Sequence, residues 1–461
     1  MDNTSDAEVI GLDTAQYLQN AICDKAGLLR TNIRVVDLLA SDFATPIDAI
    51  GFYYRIPPAQ DRALFLSNGI LWECLVTPGS PVPTLAPPTA VPADPAVTFT
   101  PGVGARFVAF NDELIILQAD GSQFPYRYLV DSTGSHVYLL GITPPPAPGL
   151  AAAAPGVNPG KQLNLVYRYR LTYFDSKFRE SSLGSQATIT LTNPALNAVS
   201  VTCPAFPDTQ TTGCYVYEAV PGNNTFYRVH TFVRTDAGTN WLDDLTDNQV
   251  IINPIQWVDP NNFQAYDRPH KASVGVNYKN YLMLNDAQFP QQLQVSNLSS
   301  PTQFSPISLL PTEGGEFIID TDQADPVMAL VSYGSILKIW KQRGFYLMFG
   351  DFVSDFTIRA LHQRGTVCSD SAVRCDNEVM SYSLDGVYAY NYVGGFLAQR
   401  TSQAIQASFD ALAIDTTGQD KILKAHSAYV DNKYFLWIDK TIYLYDFRSQ
   451  KPGWTTISLK G

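Results

Sequence analysis

Arg106-Phe107-Val108-Ala109-Phe110-Asn111-Asp112-Glu113-Leu114-Ile115-Ile116-Leu117 reads as an alternating apolar strand, a polar turn and a second apolar strand. The phrase recurs as Ala63-Leu64-Phe65-Leu66-Ser67-Asn68-Gly69-Ile70-Leu71-Trp72 and as Val274-Gly275-Val276-Asn277-Tyr278-Lys279-Asn280-Tyr281-Leu282-Met283-Leu284. Related hairpins are expected at Leu330 to Trp340, Val379 to Tyr390 and Ala428 to Ile438, with turns at Tyr333-Gly334, Asp385-Gly386 and Asp431-Asn432. Period-two alternation puts one face of a strand on a core, and Asn, Asp and Gly accept the positive φ of a tight hairpin. Each phrase therefore predicts a β-hairpin. Recurrence at roughly 45 to 55 residues is the spacing of propeller blades. The expected fold is all-β: a β-propeller of about six blades.

The chain has 461 residues, more than one ordinary core, so either two domains or one large repeat domain carrying an insertion is expected. Aromatic content is 12%, with 25 Tyr and 24 Phe, which favours pleated surfaces where flat rings pack. Only 16% of residues are charged, so much of the exterior is uncharged, which suits either permanent subunit contacts or a β-rich monomer. The formal net charge of −12 opposes adhesion to nucleic acid or anionic lipid. Past an acidic wall DNA would slide without sticking, within a screening length of about 8 Å.

The acidic stretch Met1 to Glu8 lacks the basic and apolar regions of a secretory signal, and no apolar run approaches the roughly 20 residues of a membrane span. No membrane insertion is expected. The six cysteines, Cys23, Cys74, Cys203, Cys214, Cys368 and Cys375, have no CxxC spacing and read as reduced, packed thiols, the alternative being that Cys203 meets Cys214 and Cys368 meets Cys375 across neighbouring strands.

Thr14 to Leu29 mixes helical and turn signals. Seven prolines from Pro78 to Pro95 predict an extended surface loop between Thr77 and Pro101. The Pro- and Ala-rich stretch from Thr143 to Gly160 reads as a linker and domain boundary. Beyond it, short alternating strands such as Asn164 to Asp175, Ala187 to Leu191, Gly213 to Glu218 and Phe226 to Phe232 describe a β-sandwich of immunoglobulin or fibronectin type III character. The expected organisation is an N-terminal segment with the first blades at 1–149, an inserted sandwich at 150–265 and the remaining blades at 266–461. Trp454 to Ser458 is expected to pair with the first blade and close the ring.

Chemistry finds little footing. Asp320 to Asp325 alternates oxygen ligands but lacks the central Gly and terminal Glu of a calcium loop. Arg234-Thr235-Asp236-Ala237-Gly238-Thr239-Asn240-Trp241 partly resembles the sialidase aspartate box, in a single imperfect copy that reads as a turn. His136, His230, His270, His362 and His426 show no metal-binding spacing, and no GxSxG elbow occurs. Asp410, Asp415 and Asp439 are acids by default, more simply read as solvated turn carboxylates. Arg343, Arg359, Arg364 and Arg374 read as bridges between blades, or as a rim facing a partner. No cofactor or metal is expected.

Several stretches, in their order, resemble the β-propeller hub or nozzle proteins of short-tailed bacteriophages. They are Arg106 to Leu117 with Asp120 to Tyr128, Asp267-Arg268-Pro269 before Asn280-Tyr281-Leu282, Gln294 to Phe304, Leu337 to Gly350 and Ser383 to Tyr390; Tyr167 to Ser185 resembles the sandwich inserted in such proteins. The resemblance implies a virion tail protein without catalysis, made in the host cytoplasm and assembled as a hexamer around the tail axis. It would bind the head-to-tail adaptor ring above, a tail needle or tip below, and fibres or spikes outside, while viral DNA passes through without sequence-specific binding. Phe124, Tyr126, Arg343, Phe345 and Tyr346 are the candidate partner contacts. The alternatives are a glycan-binding or glycan-cleaving propeller on the virion, and a cytoplasmic scaffold for a host protein.

Overall fold

Asn68-Gly69, Lys279-Asn280 and Asp431-Asn432 all hold positive φ at both residues, as two-residue hairpin turns require. A computed structural model of the chain describes residues 45–53, 61–77, 84–131, 134–252, 256–257, 265–304, 313–320, 325–362, 364–376, 378–383, 385–391, 398–414, 421–447 and 453–460, together with five two-residue strands between 10 and 35. Of the segment read as mixed helix and turn, Leu18–Gln19 and Ile22–Cys23 are strands, Leu29 opens a third with Arg30, and the rest lies outside the described residues.

Among the described residues, six sheets are built on four-stranded antiparallel runs. They begin at Ile47–Tyr53, Ala105–Phe110, Gly275–Tyr278, Val327–Tyr333, Val373–Cys375 and His426–Val430. The first strand of each lies against the first strand of the next, from Ile47–Tyr53 through to His426–Val430. Face-to-face sheets with their first strands side by side make a β-propeller arrangement.

Alternation builds it. In Glu113–Gln118, Leu114 and Ile116 pack toward the first sheet with Leu64, Leu66 and Tyr53, while Ile115 and Leu117 pack toward the third with Leu282 and Leu284. In Gly386–Asn391, Tyr388 and Tyr390 face the fourth sheet while Val387 and Ala389 face the sixth. The expected single buried face is thus two buried faces on such strands. At about 1.5–3 kcal/mol for each fully buried large side chain, five such apolar seams dominate the interior. The two outermost faces of the series carry apolar sets of their own, Ala63, Phe65 and Cys74 on the first sheet and Phe435, Ile442, Leu444 and Ile457 on the sixth.

Three expectations are corrected. Within the Pro-rich stretch, Thr84–Leu85 and Thr89–Ala90 pair with Ile70–Thr77, and Val91, Val97 and Phe99 are buried between the first two sheets. Proline bars a central strand but permits an edge, and the intervening apolar side chains fill the seam. Gly149–Ala153, read as linker, is a strand paired with Ala198–Thr202, because an edge strand of small residues needs only one hydrogen-bonded neighbour. Gly453–Lys460 pairs with Thr441–Asp446 and, in parallel, with Ile10–Gly11, not with the strands of the first sheet.

Between the second and third sheets the chain forms two further sheets, one three-stranded and one five-stranded, which share a core of Tyr167, Tyr169, Leu171, Val199, Val201 and Val216. The cysteines among the described side chains, Cys74, Cys203, Cys214, Cys368 and Cys375, are free and buried.

Candidate functional site

The first strands converge on an ion pair. Arg106, in Ala105–Phe110, presents Nε to Asp370 Oδ1 and Nη2 to Oδ2, the latter at 3.1 Å. Its Nη1 donates to Ser273 O at 2.8 Å, ahead of the third sheet. Asp370 also meets His426 Nδ1 at 3.4 Å, and its carbonyl accepts from Ser427 Oγ at 2.7 Å, both from the sixth sheet. Burial pushes the Asp370 carboxyl up, but the hydrogen bond from His426 and the Arg106 guanidinium outweigh it and hold the group down at about 2. Asp370 lies in the 3-10 turn Ser369–Ser371, just ahead of the fifth sheet, and because the second and fifth sheets are not neighbours in the series, this pair spans the middle of the propeller.

A second polar cluster fixes the sandwich to the sheets. Arg127, buried on the second sheet, donates Nη2 to Gln210 Oε1 at 2.9 Å, and Gln210 Nε2 donates to Gly141 O at 2.8 Å. Asp94 Oδ2 accepts from Thr209 N at 2.5 Å and from its hydroxyl. The outgoing and returning chain run side by side, with Ile142 N donating to Tyr266 O at 2.7 Å. Gly141 has φ +84, and a Cβ there would lie 2.6 Å from Arg268 Cα, so only glycine passes this crossing. Ser182 N donates to Asp267 Oδ1 at 2.8 Å, while burial raises the Asp267 carboxyl. Buried, satisfied polar contacts of this kind fix orientation, since losing one partner strands the other.

The proposed contact residues are not brought together. Phe124 lies beneath the Arg268 guanidinium, 4.0 Å from its ring centre, and braces the same crossing. Tyr126 is 1% exposed and donates its hydroxyl to Thr98 O at 2.6 Å, and Phe345 is 2% exposed against Trp340 and Tyr390. As partner contacts both are corrected: each ring is consumed by a seam between sheets. Tyr346 is half-buried with its hydroxyl on Asp320, while the Arg343 side chain is exposed on the fourth sheet.

Other sequence candidates find local roles. Arg374 sits over the Tyr333 ring at 4.8 Å, joining the fifth sheet to the fourth, and Arg364 donates to Tyr388 Oη at 2.5 Å. Asp320 takes Lys341 Nζ at 2.5 Å and Asp325 accepts from Arg343 N at 2.9 Å, so these carboxylates serve separate partners. Residues 321–324 and Asp415 lie outside the described residues. The partial aspartate box is a turn in the sandwich, where Asp236 accepts from Val233 N at 2.9 Å. Asp410 accepts from Gln406 at 2.7 Å and Asp439 pairs with Lys421 at 2.8 Å, both exposed. Among the described residues no group of three or more His, Cys, Asp or Glu is placed to hold a metal ion, and no helix is long and apolar enough to cross a membrane. Sequence reading missed Asp370, Asp94 and Gln210; the one signal was Arg106 itself, a cation opening an otherwise apolar strand.

No family model and no curated protein matches this chain. Among solved structures, apo AztD from Citrobacter koseri is similar at 11% identity and TM-score 0.35, over 89% of this chain and 86% of that one. Hsv2 from Kluyveromyces lactis is similar at 9% identity and TM-score 0.31, over 90% and 98%. A protein from Lactobacillus plantarum is similar at 11% identity and TM-score 0.32, over 81% and 88%. Likeness at this level carries no functional argument.

Proposed function

We propose that this chain is a structural subunit of a short bacteriophage tail, a nozzle or hub. In this reading the six sheets are the blades of a six-bladed propeller, and the insertion is an immunoglobulin-like sandwich. Six copies surround the tail axis between adaptor ring and tip, and fibres or spikes dock outside. The observation that supports it is the pairing of a bridged centre with a rigidly held arm. Arg106 and Asp370 brace the middle of the propeller, and Gln210, Asp94 and Gly141 fix the sandwich in one orientation. Such a body suits permanent assembly, where a subunit supplies shape and surface. It also refines the conduit: DNA follows the axis enclosed by several copies, because the centre of each single propeller is crossed by an ion pair.

The test is mass photometry and negative-stain imaging of the purified chain, alone and with adaptor protein, with mass spectrometry of purified virions. Six-membered rings and presence in particles are expected. Monomers or trimers that cleave polysaccharide, or absence from particles, would overturn the reading.

A further inference from the structure

Lys161, Glu218 and Asp243 meet inside the sandwich, and the side chains of all three are fully buried. Lys161 Nζ lies 2.6 Å from Glu218 Oε1 and 2.9 Å from Asp243 Oδ2. Asp243 ends the last strand of the three-stranded sheet, Asn240–Asp243, while Glu218 lies on Thr211–Ala219 in the facing sheet. Lys161 precedes the long strand Val166–Asp175. The rings of Tyr167 and Tyr169 stand 4.9 and 5.9 Å from the ammonium, and the Tyr169 hydroxyl donates to Asp243 Oδ2 at 2.6 Å. Among the described residues no donor group reaches Glu218 Oε2.

We propose that Lys161 Nζ and Asp243 Cγ condense to an intramolecular amide, with Glu218 as the proton-transfer group, so that the sandwich carries a covalent cross-link between its opening segment and its last strand.

Charge counting supports the assignment. One ammonium between two carboxylates leaves an uncompensated negative charge in a dry interior, which is costly. Burial, followed by the neighbouring Asp243 charge, holds the Glu218 carboxyl well above its ordinary range, even with Lys161 alongside. Glu218 is then a neutral acid in contact with the ammonium, and its proton can serve the hydrogen bond to Asp243. The remaining ion pair becomes the reacting pair, held at contact distance without solvent between.

The step balances. Lys161 gives up a proton to the Asp243 carboxylate and, as the free amine, attacks Cγ of the resulting acid. Glu218 protonates the departing oxygen and recovers a proton from the nitrogen. One C–N bond forms, one C–O bond breaks and one water leaves, with no oxidant, reductant or cofactor. The Tyr169 hydroxyl, donating at Oδ2, stabilises the negative charge that grows there as the carbonyl carbon becomes tetrahedral. Two buried charges are replaced by a neutral amide, which removes their desolvation cost.

The experiment is intact mass spectrometry of the denatured full chain, followed by tryptic mapping. The expected mass is below the sequence mass by one water. The expected map holds a branched peptide in which Lys161 resists cleavage and is joined to the Asp243 segment. An undiminished mass with linear peptides cut after Lys161 overturns the proposal, as does a branch at Glu218 in place of Asp243. Because the unaltered protein is read directly, no variant needs to fold for this arm. Glu218→Gln, purified in the same way, is expected to retain the water; complete cross-linking in that variant overturns the role given to Glu218.

Discussion

Arg106 and Asp370 join parts of the chain separated by 264 positions and by two intervening sheets of the propeller. The carboxylate is shared with His426, and the guanidinium also reaches Ser273 O, so the second, third, fifth and sixth sheets meet at one ion pair. The pair is partly shielded, with side-chain exposures of 18% and 26%.

That shielding gives a pH signature. The Asp370 carboxyl titrates at about 2 in the fold against 3.8 for an ordinary aspartate, so the folded form releases its proton more readily. Its stabilisation is therefore fully present above about pH 4 and is lost as pH falls through 2. The difference is on the order of 2 kcal/mol. Urea unfolding of wild type and Asp370→Asn between pH 7 and 2 should show a gap of about that size at neutral pH that closes in acid. A gap independent of pH would show that the charge of Asp370 is not what holds the centre.

Lys338 gives stability of the same sign with pH, but in the alkaline range. It is 3% exposed on the fourth sheet and donates Nζ to Tyr390 O at 2.7 Å. Burial lowers its ammonium from 10.5 to about 8, with Glu378 opposing the shift. The unfolded chain then holds the proton more tightly than the fold, so stability rises as pH climbs from 8 toward 10. The slope is about 1.4 kcal/mol per pH unit from this group. Lys338→Met should remove that rise, read as the difference between the two unfolding curves at pH 8 and 9.5.

The hairpins were legible because their signals are local. Asn68-Gly69 and Lys279-Asn280 announce positive φ, and runs such as Leu114-Ile115-Ile116-Leu117 announce strands, while the burial of their second face comes from the neighbouring sheet. Gly149–Ala153 was illegible because Ala carries no alternation, and its strand character comes from Ala198–Thr202, some 50 residues away. The same limit applies to sites. Tyr126 and Phe345 looked like contact residues because composition cannot tell a seam from a surface. Lys161, Glu218 and Asp243 share no spacing that a motif could express, since three separate elements bring them together.

At the crossing into the sandwich, Gly141→Ala should be strongly disruptive, since the added methyl meets Arg268 Cα at 2.6 Å and φ is +84. Gln210→Ala keeps the backbone but takes the partner of Arg127 Nη2 and of the Gly141 carbonyl, at a cost of about 1–3 kcal/mol, while Arg127 keeps Glu113. Limited proteolysis should then cut faster near residues 140–160 in Gln210→Ala than in wild type. Unchanged cleavage would mean that the sandwich is held by its apolar contacts alone.

Closure of the ring rests on the two end faces. Phe65 is 6% exposed beside Ala63 and Cys74 on the first sheet, and Phe435 is 9% exposed beside Ile442 and Ile457 on the sixth. If these faces meet, each phenyl ring packs on the other side's residues as Leu114 does on Leu64. Phe65→Ala and Phe435→Ala should then each cost about 3–5 kcal/mol. The decisive quantity is their coupling. Residues sharing a packed seam show interaction energies of about 0.5–3 kcal/mol, whereas distant sites add within about 0.5 kcal/mol. A double-mutant cycle by urea unfolding should give a coupling in the upper range. Simple additivity would leave the sixth seam open and make the series an arc, whose free faces would have to be covered by another subunit.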